Sequence, residues 1–110
     1  MKTLPRLFLI SFATLGVLIL RASATDTDID QRAIRFSMQS VSIRAGDVLR
    51  FHNKDDVTHN LMVIDSDDDP EDQGLQKPGV VVTKKFDQAG TFEVRCAIHP
   101  RMKMTVTVTP

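Results

Sequence analysis

The chain contains a single cysteine, Cys96, so no internal disulfide braces it. The thiol is free, paired with another chain, or bound to a metal. Basic residues are not in excess: fourteen Lys and Arg balance fourteen Asp and Glu. That leaves no cationic stripe for a nucleic acid. There is no Gly-rich phosphate cradle, no Gly-x-Ser-x-Gly nucleophile elbow and no Cys-x-x-Cys-His haem attachment run. Internal repeats are absent, and past the N-terminal segment no stretch has a helical hydrophobic period. The one long apolar run, residues 7–20, is shorter than the ~20 residues that cross a bilayer as a helix.

What is present begins with an export signal. Lys2 and Arg6 lead into the apolar run, which ends in Ala22-Ser23-Ala24, the small-x-small pattern that signal peptidase accepts. Residues 1–24 therefore read as a signal peptide cleaved after Ala24, and the product as periplasmic, with no stable membrane insertion. An uncleaved anchor, with Arg21 beside the cleavage motif, is the competing reading. Three of the fourteen basic residues, Lys2, Arg6 and Arg21, and none of the acids lie in this segment. Residues 25–110 therefore carry a net charge of −3. An exported free thiol is open to oxidation. Metal ligation removes that exposure and adds stability to a small core.

The exported part divides into a polar, loose leader, residues 25–33 ("TDTDIDQRA"), and a domain spanning 34–110. The domain is a series of short β-type runs: 34–38, 41–43, 47–53, 59–64, 80–86, 91–97 and 104–110. In "DVLRFHN" (47–53), Leu49 and Phe51 fall on one face, and Arg50 and His52 on the other. Turns at Ala45-Gly46-Asp47 and Gln88-Ala89-Gly90 separate runs. The pattern predicts an all-β antiparallel sandwich or barrel. Residues 65–79, "DSDDDPEDQGLQKPG", read as a long solvated loop. Asp65, Asp67 and Asp69 alternate as in a calcium loop. Pro70 and Gln76, however, stand where such a loop needs Gly and Glu.

The chemistry concentrates in "CAIHPRM". Cys96, His99 and Met102 are spaced three apart between two strand candidates, in a segment stiffened by Pro100. A tight loop there turns a thiolate, an imidazole and a thioether toward one point. The fourth donor is His52 or His59. His59 follows the loop "KDDVT" and opens a strand, so it sits at a sheet end and is the better candidate. His52 alternates away from Leu49 and Phe51 and should face outward. Two imidazoles, a thiolate and a thioether make a blue-copper donor set, whereas a thioether suits zinc poorly. A lone Cys is commonly just a small buried hydrophobe, but that leaves the joint spacing with His and Met unexplained. A Cys/His nucleophile pair would need an oxyanion hole and an orienting partner, for which a small β domain has little room.

At these residues the sequence resembles the cupredoxins of the plastocyanin, amicyanin and pseudoazurin group. The resemblance covers nearly all of 34–110. It rests on "AGDVLRFHNKDDVTHN" (45–60), "FDQAGTFEVRCAIHP" (86–100) and the compact ligand loop, which is most similar to amicyanin. It implies a Greek-key β-sandwich of about seven to eight strands and one type 1 copper ion. The implied ligands are His59, Cys96, His99 and Met102. The resemblance further implies that Asn60 ties the two ligand loops together and hydrogen-bonds near the thiolate, and that His99 is the partly exposed ligand that passes electrons. The chain departs from the pattern at Arg101, where amicyanin has an aromatic residue, and at Lys103 and Met104, where a basic residue and Gly are usual. With no Tyr in the chain, Phe92 takes the usual aromatic position before the cysteine. Arg101 places positive charge beside the presumed docking face and argues against amicyanin's own partner, methylamine dehydrogenase.

The expectation is a soluble, monomeric electron carrier, not an enzyme, that docks transiently near His99 with larger redox proteins such as a dehydrogenase, a cytochrome c or an oxidase. Arg101, Lys103 and Lys77 would speed association with an acidic partner. A copper chaperone or store is the alternative; it is disfavoured because the exported methionines, Met38, Met62, Met102 and Met104, form no Met-rich tract. A metal-free assembly module is the third. N-terminal sequencing of the exported protein is expected to begin at Thr25; Met1 at that end would establish the anchor instead.

Overall fold

The computed structural model describes residues 2–5, 8–18 and 23–110. Ala22 of the cleavage motif and both ends of the apolar run lie outside the described residues. Among the described residues no helix is long and apolar enough to cross a membrane. The described residues form nine strands: β1 (Asp26–Arg32), β2 (Arg35–Phe36), β3 (Ser40–Arg44), β4 (Asp47–Asn53), β5 (His59–Ile64), β6 (Pro70–Gln76), β7 (Val81–Phe86), β8 (Gly90–Cys96) and β9 (Lys103–Thr109).

They form two sheets, ordered β2-β1-β4-β7 and β3-β9-β8-β5-β6. Their inner faces supply the core, including Ile29, Leu49, Phe51, Leu61, Val94 and Val106, all 0–1 % exposed. Alternation does the sorting: in β9, Met104, Val106 and Val108 point inward, and Lys103 and the threonines point out. The sandwich is the expected class, with two differences of detail. There are nine strands, and two pairs run parallel, β1 with β4 and β3 with β9. Residues 47–53 and 59–64 form strands with the boundaries their alternation predicts.

The leader is corrected by the structure. Residues 26–32 are β1, an inner strand of the first sheet, with Ile29 and Gln31 fully buried. Composition hides it because five of its seven residues are charged or amide. The charges are nonetheless ordered. Asp26, Asp28 and Asp30 project from one face of β1, and Arg50, His52 and Lys54 from the matching face along β4 and just beyond it. Asp28 lies 2.9 Å from Arg50 Nε and 2.8 Å from His52 Nε2, and Asp30 lies 3.0 Å from Lys54 Nζ. These are exposed cross-strand pairs, each worth about 0.2–1 kcal/mol. The hydrogen bonds from His52 and then Arg50 hold the Asp28 carboxyl below its ordinary value. His52 is thus occupied on the outer surface.

The acidic segment is also only partly a loop. Residues 70–76 form β6, an edge strand paired with β5, on which only Gln76 is buried. Pro70 is tolerated because it opens an edge strand. The remaining turn is held by Asp65, whose Oδ1 accepts from the amides of Asp67 and Asp69. Ile29→Ala is expected to cost about 2–5 kcal/mol in urea unfolding, the range for truncating a buried aliphatic side chain. A loose leader would lose almost nothing.

Candidate metal centre

The loop between β8 and β9 is two successive turns. The His99 amide donates to Cys96 O (3.3 Å) and the Met102 amide to His99 O (2.9 Å). The Cys96 amide donates back to Met102 O (3.0 Å) and closes the loop. The three-residue spacing seen in sequence is thus one turn per step. Pro100 sits just inside the second turn, where its fixed φ suits the geometry. Cys96 and Met102 are buried, and His99 is half-buried beside exposed Ile98.

His59 comes from the other side of the site, as the first residue of β5. Antiparallel pairing of β5 with β8 sets Leu61 opposite Cys96, which brings the end of β5 beside the thiol. The preceding loop is held from below. Asn53 Nδ2 donates to Val57 O and Gln76 O, both at 2.9 Å, and Gln76 Nε2 donates to Phe51 O and Val80 O, both at 2.8 Å. His59 is fully buried.

The three donor atoms converge. His59 Nδ1 and His99 Nδ1 are 3.3 Å apart, and Cys96 Sγ lies 3.7 Å from the first and 3.5 Å from the second. No other His, Cys, Asp or Glu joins this cluster among the described residues. The point equidistant from the three atoms lies about 2.0 Å from each, close to the ~2.0–2.1 Å of an imidazole–metal bond and slightly inside the ~2.3 Å of a thiolate–metal bond. A small ion fits between the donors without rearrangement of the backbone.

The family model for copper binding proteins of the plastocyanin/azurin family matches residues 23–109. The chain belongs to that family. It is 28% identical over 109 residues to the methylamine utilization protein MauL of Methylorubrum extorquens, covering 98% of this chain and 96% of that one. It is 34% identical over 90 residues to the plastocyanin of Scenedesmus fuscus, covering 72% of this chain and 91% of the relative. In fold it is similar to a solved amicyanin variant in the Cu(I) state, with a TM-score of 0.69 at 19% identity, over 76% of this chain and 81% of that one. The cofactor of a cupredoxin of this kind is one type 1 copper ion, and the soft thiolate and two imidazoles gathered here suit it.

Asn60 lies between the two ligand segments. Its amide donates to Cys96 Sγ at 3.3 Å, and its carbonyl accepts from the Ala97 amide at 3.1 Å. Its backbone makes the tie. The side chain makes its hydrogen bond elsewhere, with Nδ2 donating to Asp72 Oδ1 at 3.2 Å.

The residue that sequence reasoning missed is Asp55. Its Oδ2 lies 2.8 Å from His59 Nε2. A carboxylate accepts, so Nε2 carries the hydrogen and Nδ1 keeps its lone pair, directed at the thiol. The same carboxylate accepts from the amides of Ala33 (2.6 Å) and Ile34 (3.1 Å). Both of those residues have positive φ, at 51° and 56°, in the β1–β2 turn, a conformation that favours Gly or Asn. Burial pushes the Asp55 carboxyl up, but the hydrogen bonds from His59, Ile34 and Ala33 outweigh it and hold the group below the usual carboxylate value. A carboxylate four residues before a candidate histidine was the available signal. In "KDDVTH" nothing distinguishes it from a solvated charge. Asp55→Ala is expected to weaken copper binding about 10–100-fold, the usual effect of removing a group that orients a ligand, read by competition with a chelator. Unchanged affinity would mean that His59 is oriented without it.

Proposed function

We propose that the chain is an exported one-electron carrier in which His59, Cys96, His99 and Met102 hold a single type 1 copper ion. The observation that supports this best is the triangle of two imidazole nitrogens and one sulfur with edges of 3.3–3.7 Å, drawn from two segments far apart in sequence. Bound copper supplies the Cu(II)/Cu(I) couple. The chain supplies a site that suits both states: soft sulfur for Cu(I), imidazole for Cu(II), and a closed loop that resists change. Met102, buried at the end of that loop, is the axial thioether on this reading. Burial of His59 and Cys96 keeps water out, and half-buried His99 offers a ring edge to a partner. The protein performs no bond chemistry of its own.

Export follows from the signal sequence, with cleavage after Ala24 and a periplasmic product. Partners are larger redox proteins that dock transiently around His99 and Ile98, with the chain acting as a monomer. Arg101 and Lys103, both exposed, would draw in an acidic surface and act mainly on association rate.

Adding Cu(II) to the purified exported protein is expected to give an intense blue colour that mild reductant bleaches reversibly. Cys96→Ser should abolish the colour. Met102→Gln should keep it and lower the reduction potential, because a harder axial ligand favours Cu(II). Binding of Cu(I) without colour would point to a copper store, and an unchanged potential in Met102→Gln would remove that residue from the site.

A further inference from the structure

The hydrogen-bonded structure of the described chain begins at Thr25. The Thr25 amide donates to Asp47 Oδ1 at 2.8 Å, and its carbonyl accepts from the Val48 amide at 3.0 Å. From Asp26 onward the chain pairs with β4, whereas Ser23 and Ala24 are exposed and belong to no strand. Asp47 heads β4 and is only 8 % exposed. Its second oxygen accepts from the Arg44 amide at 2.8 Å. Among the described residues no side-chain cation lies within salt-bridge distance of this carboxylate. Both oxygens of this largely buried carboxylate thus accept backbone amides and neither meets a side-chain cation, and one of those amides is the first backbone nitrogen after the expected cleavage point.

We propose that cleavage after Ala24 converts the Thr25 amide into an α-ammonium that ion-pairs with Asp47, so that removal of the signal peptide completes this end of the sandwich. Hydrolysis of the Ala24–Thr25 amide by a signal peptidase consumes one water. It leaves a carboxylate on Ala24 and an ammonium on Thr25. The neutral 2.8 Å hydrogen bond then becomes a charge-assisted one, about twice as strong. The amides of Thr25 and Arg44 already hold the Asp47 carboxyl below its ordinary value, so it is ionised when the cation arrives. The inference rests on export with cleavage after Ala24. It adds a role for Asp47, which lies at the end of β4 where Gly46 turns the chain, away from the donors that His59 and Cys96 bring together.

The charged groups around the new terminus are few. Asp26 follows Thr25 along the chain, Arg44 donates its amide to Asp47, Lys85 stands on β7 opposite Val48, and Thr109 closes the same end, its carbonyl accepting from the Ala45 amide. An ammonium stabilised by Asp47 has its pKa raised on folding. The added stability is therefore fully present below the ordinary α-amino value, roughly 7.7–8.0, and is lost as pH rises through the raised value.

Residues 25–110 contain all nine strands, so the copper-loaded cleaved protein is the sample to test. NMR titration of the Thr25 amine is expected to give a pKa about one unit above the ordinary range, falling back into that range in Asp47→Asn. The Nα-acetylated protein keeps the N–H donor but not the charge. It should melt several degrees lower than the free-amine protein at pH 6.5 and equally at pH 10.5, with no difference at either pH in the Asp47→Asn background. An ordinary amine pKa, or equal melting of the two forms at pH 6.5, overturns the ion pair. Mass spectrometry of the exported protein tests the cleavage separately. A terminus other than Thr25 overturns the maturation step while leaving the measured pair, and the copper site, standing.

Discussion

The structure depends on one pairing, that of β5 with β8. Setting Leu61 opposite Cys96 brings the first residue of β5 beside the last of β8. A histidine and a thiol separated by 37 positions then meet at 3.7 Å. A slip of one residue would turn every side chain of β5 to the other face, exposing Leu61 and Val63 and withdrawing His59. Core packing and donor geometry are therefore set by the same register, and the hydrophobic alternation that fixes one fixes the other.

Around that pairing, the site is braced by polar groups that are themselves buried. Asn53 and Gln76 hold the approach to His59 through four hydrogen bonds to backbone carbonyls. Asp55 joins His59 to the turn between β1 and β2, and so to the first hairpin of the chain. A free imidazole would rotate. Here its far nitrogen is fixed by a carboxylate, and that carboxylate is fixed in turn by two backbone amides. That chain of contacts makes the N-terminal hairpin part of the support for the metal centre.

Two segments were illegible in the sequence for the same physical reason. β1 and β6 are polar, so neither shows the apolar alternation that marks a strand. β1 is a strand because its acids meet Arg50, His52 and Lys54 in register and because Ile29 has a core to enter. β6 is one because the edge of β5 offers it backbone partners. Both conditions are supplied by other parts of the chain. By contrast, 47–53 and 59–64 carry their alternation within themselves and were legible to the residue.

The sequence by itself determined the all-β class and the placing of His59, not His52, beside Cys96 and His99, because each follows from local periodicity and turn chemistry. A thiolate and an imidazole three residues apart restrict the metal whatever surrounds them. Only the tertiary structure decided that β1 belongs to the fold, that Asp55 orients His59, and that Asn60 bridges the ligand segments through its backbone. Those facts depend on which distant segment arrives at a given position, and a contact between residues 22 or 36 apart leaves no periodic mark on either one.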